Sequence, residues 1–352
     1  MRIVNAVYGD STGGRWAATI KTARLLAGRG HEVILLIDPC DQDKVPDFGA
    51  ERIEVVTLSN SGHYDLLASF KAARLLRQRT VDAVIAHSGR AVHLLKRAAP
   101  ARVPVIAFNH SHNIKRTLKA DAFFCITPYM KQIVDAATGG AKPAYVISNA
   151  VSVPTESELG REGEGTFSIG AISRLVEGKG LETLVAALAL LAQRGVNFRA
   201  SLAGDGALRS MLERLVEDAQ LVDRVEFVGW LDEAGKAAFY RRLDVVCYTS
   251  GRDVQPLTVL EAFGWGKALV GTDVLGGSSC YVNEETALVT HVGDAGQLAA
   301  ALERLSMDPE LRARLGRNAR EQAVRCHADE VVAAMLDQRI RELVAECGGG
   351  RA

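Results

Sequence analysis

The chain has 352 residues, more than one hydrophobic core usually holds, so two domains of ~100–200 residues each are expected. Lysine plus arginine and aspartate plus glutamate both number 42, a balance that leaves no electrostatic footprint for wrapping nucleic acid. The longest apolar run, LVAALALLA from Leu184, falls far short of the ~20 residues of a membrane span, and no basic stretch leads into an apolar one at the start. A soluble, cytoplasmic chain is expected, one that could still rest on a membrane surface. The cysteines, Cys40, Cys125, Cys247, Cys280, Cys326 and Cys347, are scattered with no C-x-x-C pair and fit a reducing compartment.

In chain order, RIVNAV, EVILLID, RIEVVTL, DAVIAHS, PVIAFNH, DAFFCIT and AYVISNA read as strands separated by helical stretches. Continuous apolar runs of this kind indicate a parallel sheet covered on both faces. Residues 152–166, SVPTESELGREGEGT, are rich in Gly, Ser, Glu and Pro and read as a linker. The alternation then resumes with FSIGAIS, FRASLAG, VEFVG, VVCYTS and ALVGTD. The expected fold is α/β, with two Rossmann-like doubly wound parallel-sheet domains, residues 1–151 and 167–327, facing each other across a cleft.

Ligands of such sheets collect beyond the carboxyl ends of the strands, so the loops there are the candidates for chemistry. In YGDSTGGRW, Gly13 and Gly14 precede a helix, where small residues and free amides suit an anion. His87 ends one strand, and His110 and His112 end the next. Three histidines on neighbouring strand ends suggest one wall of the cleft. A zinc site is disfavoured because the cysteines lack suitable spacing and no H-E-x-x-H occurs. In SRLVEGKG, Arg174 and Lys179 are a planar fork and a point charge suited to a diphosphate without a metal. GDGALR reads as a tight turn, and Gly229 with Trp230 as a base pocket or plain packing.

In GRDVQPLTVLEAF, Asp253 and Glu261 stand eight positions apart. Pro256 suits a first helical turn, which would keep Asp253 in the loop and place Glu261 on the helix body. The two are open to three readings: a hydrolytic pair, a ribose clamp, or ordinary helix decoration.

Read together in order, these segments resemble retaining GT-B glycosyltransferases of family 4 along nearly the whole chain. The resemblance rests on GG at 13–14, RGHEV at 29–33, NHS at 109–111, ISNAV at 147–151, SRLVEGKG at 173–180, GDGA at 204–207 and VGW at 228–230. It continues through D-x7-E at 253–261, GWGKALVGTD at 264–273 and LGGSSCYV at 275–282. It implies that Arg174 and Lys179 hold the donor diphosphate, that Glu261 holds the ribose and that Gly229 and Trp230 contact the base. It places Asp253 and His110 near the transferred sugar, brings Gly13 and Gly14 amides toward the phosphates, and implies a helix of roughly 328–346 crossing back to the first domain. The chain departs from the family pattern at Asp253, one methylene shorter than glutamate, and at Pro256, Ala268, Cys280 and Ala150.

The implied activity is retaining transfer from a nucleoside diphosphate sugar, UDP-sugars first and GDP-mannose second, to a glycan or glycolipid acceptor, with neither cofactor nor metal. A glycoside hydrolase, a sugar-nucleotide 2-epimerase and a catalytically silent nucleotide-sugar binder are the rivals. Lys96, Arg97, Arg102, Lys115, Arg116 and Lys119 form a basic set that suits an anionic membrane or glycolipid and equally a solvated face.

Overall fold

The apolar runs of the amino-terminal half form β1 (Arg2–Ala6), β2 (Glu32–Ile37), β3 (Ile53–Thr57), β4 (Ala83–Ala86), β5 (Val105–Asn109), β6 (Ala122–Cys125) and β7 (Ala144–Val146). A computed structural model describes residues 1–9, 13–160 and 165–349, so Asp10, Ser11 and Thr12 of the glycine loop and positions 161–164 of the expected linker lie outside the described residues. The strands pair in the order β3-β2-β1-β4-β5-β6-β7, every ladder parallel. Strands β4, β5 and β6 are buried along their whole length, which is why their sequences run apolar instead of alternating.

Helices α1 (Gly14–Gly28), α2 (Leu66–Gln78), α3 (Gly89–Ala98) and α4 (Pro128–Thr138) connect these strands. Three begin at a residue whose side chain takes a backbone amide of the first turn: Asp65 from Ala68 at 2.8 Å, Ser88 from Ala91 at 3.3 Å and Thr127 from Met130 at 3.2 Å. Such a cap is worth about 1 kcal/mol to each helix. Helix α4 stops at Gly139, whose φ of +62° is the left-handed turn that glycine adopts freely.

The second half repeats the pattern with β8 (Phe167–Ile172), β9 (Phe198–Ala203), β10 (Val225–Gly229), β11 (Val245–Tyr248), β12 (Ala268–Thr272) and β13 (Leu288–Thr290). Their order is β10-β9-β8-β11-β12-β13, again parallel throughout. Helices α5 (Leu181–Gln193), α6 (Arg209–Asp218), α7 (Glu233–Arg242), α8 (Leu257–Gly264), α9 (Ala295–Met307) and α10 (Pro309–Cys326) cover it. On α5, Leu181, Leu184, Val185, Leu188 and Leu191 are all buried in the core. Full burial contributes about 1.5–3 kcal/mol for each such side chain. Strand β13 is three residues long, too short to stand out as an apolar run.

The last helix, α11 (Asp329–Gly349), belongs to the first compact unit, which comprises residues 1–150 and 329–352; residues 151–328 form the second. It is fastened to the first unit by Lys21 on Asp329 at 2.7 Å and by buried His31 on Asp337 at 2.8 Å. The histidine of RGHEV is therefore structural. The described part of the 152–166 stretch is tied to the second unit, where Arg320 donates to the Pro154 carbonyl at 2.7 Å.

Candidate functional site

In the second unit, the loops at the carboxyl ends of the strands are held together by their backbones. The Gly204 amide donates to the Gly229 carbonyl at 2.7 Å, and the Leu175 amide to the Asp205 carbonyl at 2.9 Å. The glycines permit this closeness. A Cβ at Gly204, whose φ is +119°, would lie 1.8 Å from the Ser173 carbonyl oxygen, and one at Gly180, φ +68°, would lie 2.2 Å from that of Thr249. GDG is thus more than a tight turn, because without it the Arg174 loop could not sit on β9. A Cβ at Gly276 would lie 2.0 Å from the Asp253 carbonyl oxygen, so the GG of LGGSS supports the Asp253 loop.

On this frame Lys179 and Asp253 are brought into direct contact. The Lys179 ammonium donates to Asp253 Oδ1 at 2.8 Å and Oδ2 at 2.6 Å, and the Tyr248 hydroxyl donates to Oδ2 at 3.2 Å. Burial pushes the Asp253 carboxyl up, but the Lys179 charge and hydrogen bonds from Lys179, Ser250 and Tyr248 outweigh it and hold the group below 3.8. The Arg174 side chain is exposed and makes no hydrogen bond or ion pair among the described residues. Its guanidinium is available to a ligand.

Glu261 lies on α8, whose N-cap is Pro256, so the proline precedes the first helical turn instead of occupying it. Both Glu261 oxygens have partners: Oε1 accepts from Lys236 at 2.8 Å and Oε2 from Tyr240 at 3.1 Å. Burial lowers the Lys236 pKa, but the charge and hydrogen bonds of Glu261 and Glu233 outweigh it, so the ammonium titrates above its ordinary value. Sequence reasoning missed Lys236, Tyr240 and Tyr248. The first two come from α7, too far along the chain for spacing to flag. Asp253 and Glu261 thus hold separate sets of partners. A retaining hydrolase needs one carboxyl with a raised pKa; Asp253 is shifted the other way, which removes it as that acid. Trp230 is 68% exposed and follows Gly229, whose φ is +73°. Cys280 is buried among apolar side chains, and burial pushes its thiol up to about 12.

In the first unit, two of the three strand-end histidines form one array. Asn5 Nδ2 donates to the Thr19 carbonyl at 2.8 Å, which turns Asn5 Oδ1 toward His87 Nε2 at 2.7 Å. That oxygen can only accept, so the His87 proton is on Nε2 and its Nδ1 must accept from His110 Nε2, 2.8 Å away. The rings stack at 5.1 Å between centroids. Burial, helped by the Arg15 charge, lowers the His110 pKa to about 3, and burial holds His87 well below 6.5. His110 is therefore neutral, with an unprotonated Nδ1 that makes no hydrogen bond among the described residues. His112 stands apart, edge-on to Tyr129 at 5.4 Å, so the expected trio is a pair. Gly13 is the N-cap of α1 and Gly14 its first residue; glycine at the cap leaves the first amides without a side-chain acceptor from that position.

Comparisons with known proteins bear on the family and the fold. A family model described as glycosyl transferases group 1 matches residues 154–322, and one described as glycosyltransferase family 4 matches residues 12–153. The lipopolysaccharide core biosynthesis glycosyltransferase LpsE of Rhizobium meliloti is 26% identical over 328 residues, 92% of this chain and 94% of that protein. Sucrose-phosphate synthase from Thermosynechococcus elongatus superposes with a TM-score of 0.83 at 21% identity, covering 98% of this chain and 100% of that one. Anabaena HepE, solved in complex with UDP, superposes with a TM-score of 0.79 at 19% identity, covering 97% and 100%. The fold is GT-B, with two Rossmann-like parallel-sheet domains.

Proposed function

We propose that this chain, which belongs to the group 1 glycosyltransferases, transfers a sugar from a nucleoside diphosphate sugar to an acceptor hydroxyl with retention of anomeric configuration. The observation that carries the reading is the cationic loop after β8: Lys179 is held on Asp253 while Arg174 is exposed and has no partner among the described residues. Two cations at strand ends suit a diphosphate, which would take Lys179 in exchange for part of its contact with Asp253. HepE, of the same fold, is described in complex with UDP and with UDP-glucose, which supports a UDP-sugar donor here.

In this reading the bond from the anomeric carbon to the β-phosphate oxygen breaks as the acceptor oxygen bonds to the same carbon on the same face. The acceptor proton passes to the departing phosphate oxygen. Arg174 and Lys179 stabilise the charge that collects there and remove the need for a metal. Glu261, already aimed by Lys236 and Tyr240, uses its remaining lone pairs on the ribose hydroxyls. Trp230 meets the base, and the Gly13 and Gly14 amides approach the phosphates. Asp253 accepts from hydroxyls of the transferred sugar, and His110 Nδ1 accepts from another.

LpsE is named for lipopolysaccharide core biosynthesis, which supports a cell-surface glycan or glycolipid acceptor. The six unpaired cysteines support work in the cytoplasm, with Arg102, Lys115, Arg116 and Lys119 available to an anionic membrane. Lys96 is already bonded to Asp121.

A screen of UDP-, GDP-, ADP- and CDP-sugars for nucleoside diphosphate release, with and without a chelator, tests the reading. Proton NMR of the product reports the configuration. Transfer from a UDP-sugar with the anomeric configuration kept is the expected result. Tight donor binding with no release under any acceptor would favour the silent binder, and inverted product would refute retention.

A further inference from the structure

The amino-terminal end of helix α2 presents its large apolar side chains to solvent. Ala68, Ser69, Ala72 and Leu76 are buried, whereas Leu66, Leu67 and Phe70 are 71%, 66% and 71% exposed and Tyr64, just before the helix, is 79% exposed. Four large apolar groups within seven residues form a patch of a kind that marks an interaction surface. In sequence it passes for an ordinary amphipathic stretch; only the packing shows which face turns outward.

Cations surround this patch. Arg97 lies over the Tyr64 ring at 5.8 Å and donates to the His63 carbonyl and to Ser69. The His63 ring feels Arg116, Arg90 and Arg97, and the His93 ring, edge-on to His63 and Tyr64, feels Lys119, Arg97 and Arg116. Setting aside Lys96, which is paired with Asp121, segments 60–78, 89–98 and 110–119 hold eight cations, namely Lys71, Arg74, Arg77, Arg90, Arg97, Lys115, Arg116 and Lys119, against one carboxylate, Asp65. That carboxylate is spent on the helix cap, accepting from Ala68 and from Ser61. In a chain of zero formal charge, this concentration of one sign is local.

We propose that the Tyr64–Phe70 turn is a membrane-insertion element. Tyr64, Leu66, Leu67 and Phe70 enter the interfacial layer of an anionic bilayer while Arg90, Arg97, Arg116 and Lys119 meet lipid phosphates. An anionic bilayer offers an apolar layer and negative charge at once, the combination that holds interfacial helices. A second copy of this chain would bring the same positive collar against itself. The proposal deepens the peripheral membrane contact in the reading above and moves its apolar contribution to α2.

The test is co-sedimentation of the full chain with phosphatidylcholine vesicles, with and without phosphatidylglycerol. The wild type is expected to sediment with the anionic vesicles in a salt-sensitive manner. A Leu67→Ser/Phe70→Ser variant, changed only at exposed positions, should lose roughly tenfold or more of that partitioning with all its cations intact. Arg116→Glu/Lys119→Glu should lose it as well. Nucleotide-sugar turnover on a soluble acceptor should be unchanged in the serine variant, so failure of vesicle binding and failure of the transferase reading are separable. Equal recovery from both vesicle types, a serine variant that sediments like wild type, or a self-association abolished by that variant would each overturn the proposal.

Discussion

Lys179 donates to both carboxylate oxygens of Asp253, at 2.8 and 2.6 Å, and so closes the loop after β8 onto the loop after β11. Side-chain exposures of 16% and 26% leave this pair largely shielded, and Tyr248 adds a hydrogen bond to the same carboxylate. The two cations of this loop therefore differ in kind: Lys179 is held in an ion pair, whereas Arg174 is exposed and makes no hydrogen bond or ion pair among the described residues.

Substitutions should separate them. Lys179→Ala strands a half-buried carboxylate, a loss of about 1–3 kcal/mol in stability, whereas Arg174→Ala should stay within ~0.5 kcal/mol of wild type. Both should lower transfer by roughly a hundredfold or more. Urea titrations beside initial rates check this, and the Lys179→Ala/Asp253→Ala double variant should recover part of the lost stability. A fully stable Lys179→Ala chain would show that the ion pair does not hold the loops.

The Asn5–His87–His110 array predicts a definite tautomer. His110 should carry its proton on Nε2, visible in nitrogen-15 shifts of its ring, because His87 Nδ1 has only a lone pair to offer. His87→Phe removes that acceptor, leaves Asn5 Oδ1 unpaired at a cost of about 1–3 kcal/mol, and frees the His110 tautomer. kcat/KM should fall roughly tenfold, more than the stability loss alone explains when assayed well below Tm. An unchanged His110 spectrum in this variant would dissociate the two rings.

Every strand but the three-residue β13 was legible because a sheet covered on two faces is largely apolar, and GKG and GDG were legible because close backbone approach admits only glycine. The partners of Glu261 were not. Lys236 and Tyr240 reach it from α7 across 25 and 21 residues, and only the packing of α7 on α8 makes them neighbours. The expected histidine trio fell to a pair for a related reason. His112 lies past the strand end, where the chain has turned toward Tyr129. The outward face of α2 was equally hidden, since periodicity finds an apolar side without saying whether a sheet covers it.

Two glycines with positive φ should respond differently to alanine. At Gly204 a Cβ would meet the Ser173 carbonyl oxygen at 1.8 Å, whereas at Gly195, φ +77°, nothing lies within 4 Å. Gly195→Ala should therefore cost only the backbone preference, about 1–2 kcal/mol, and leave donor affinity alone. Gly204→Ala should cost more and weaken donor binding, because it pushes the Arg174 loop off β9. Donor titrations of both variants decide the matter, and equal affinities would mean that the loop adapts.

Acid should destabilise the protein first through its buried histidines and then, below 3.8, through Asp253 as well. His110 and His327 have pKa values lowered to about 3 and about 4, in both cases mainly by burial, from an ordinary 6.5. The unfolded chain therefore binds protons at these sites between pH 6.5 and those values while the folded chain does not. Stability is fully present above pH 6.5 and falls as the pH drops toward 4 and then 3. Asp253 is also lowered, so its contribution is present above 3.8 and is lost only below that. Urea midpoints measured from pH 8 to 4 should be flat at first and then decline below about 6.5, before the carboxylates titrate. His327→Gln cannot titrate and should flatten that decline; an unaltered slope would show that His327 is not one of the buried groups that acid must charge.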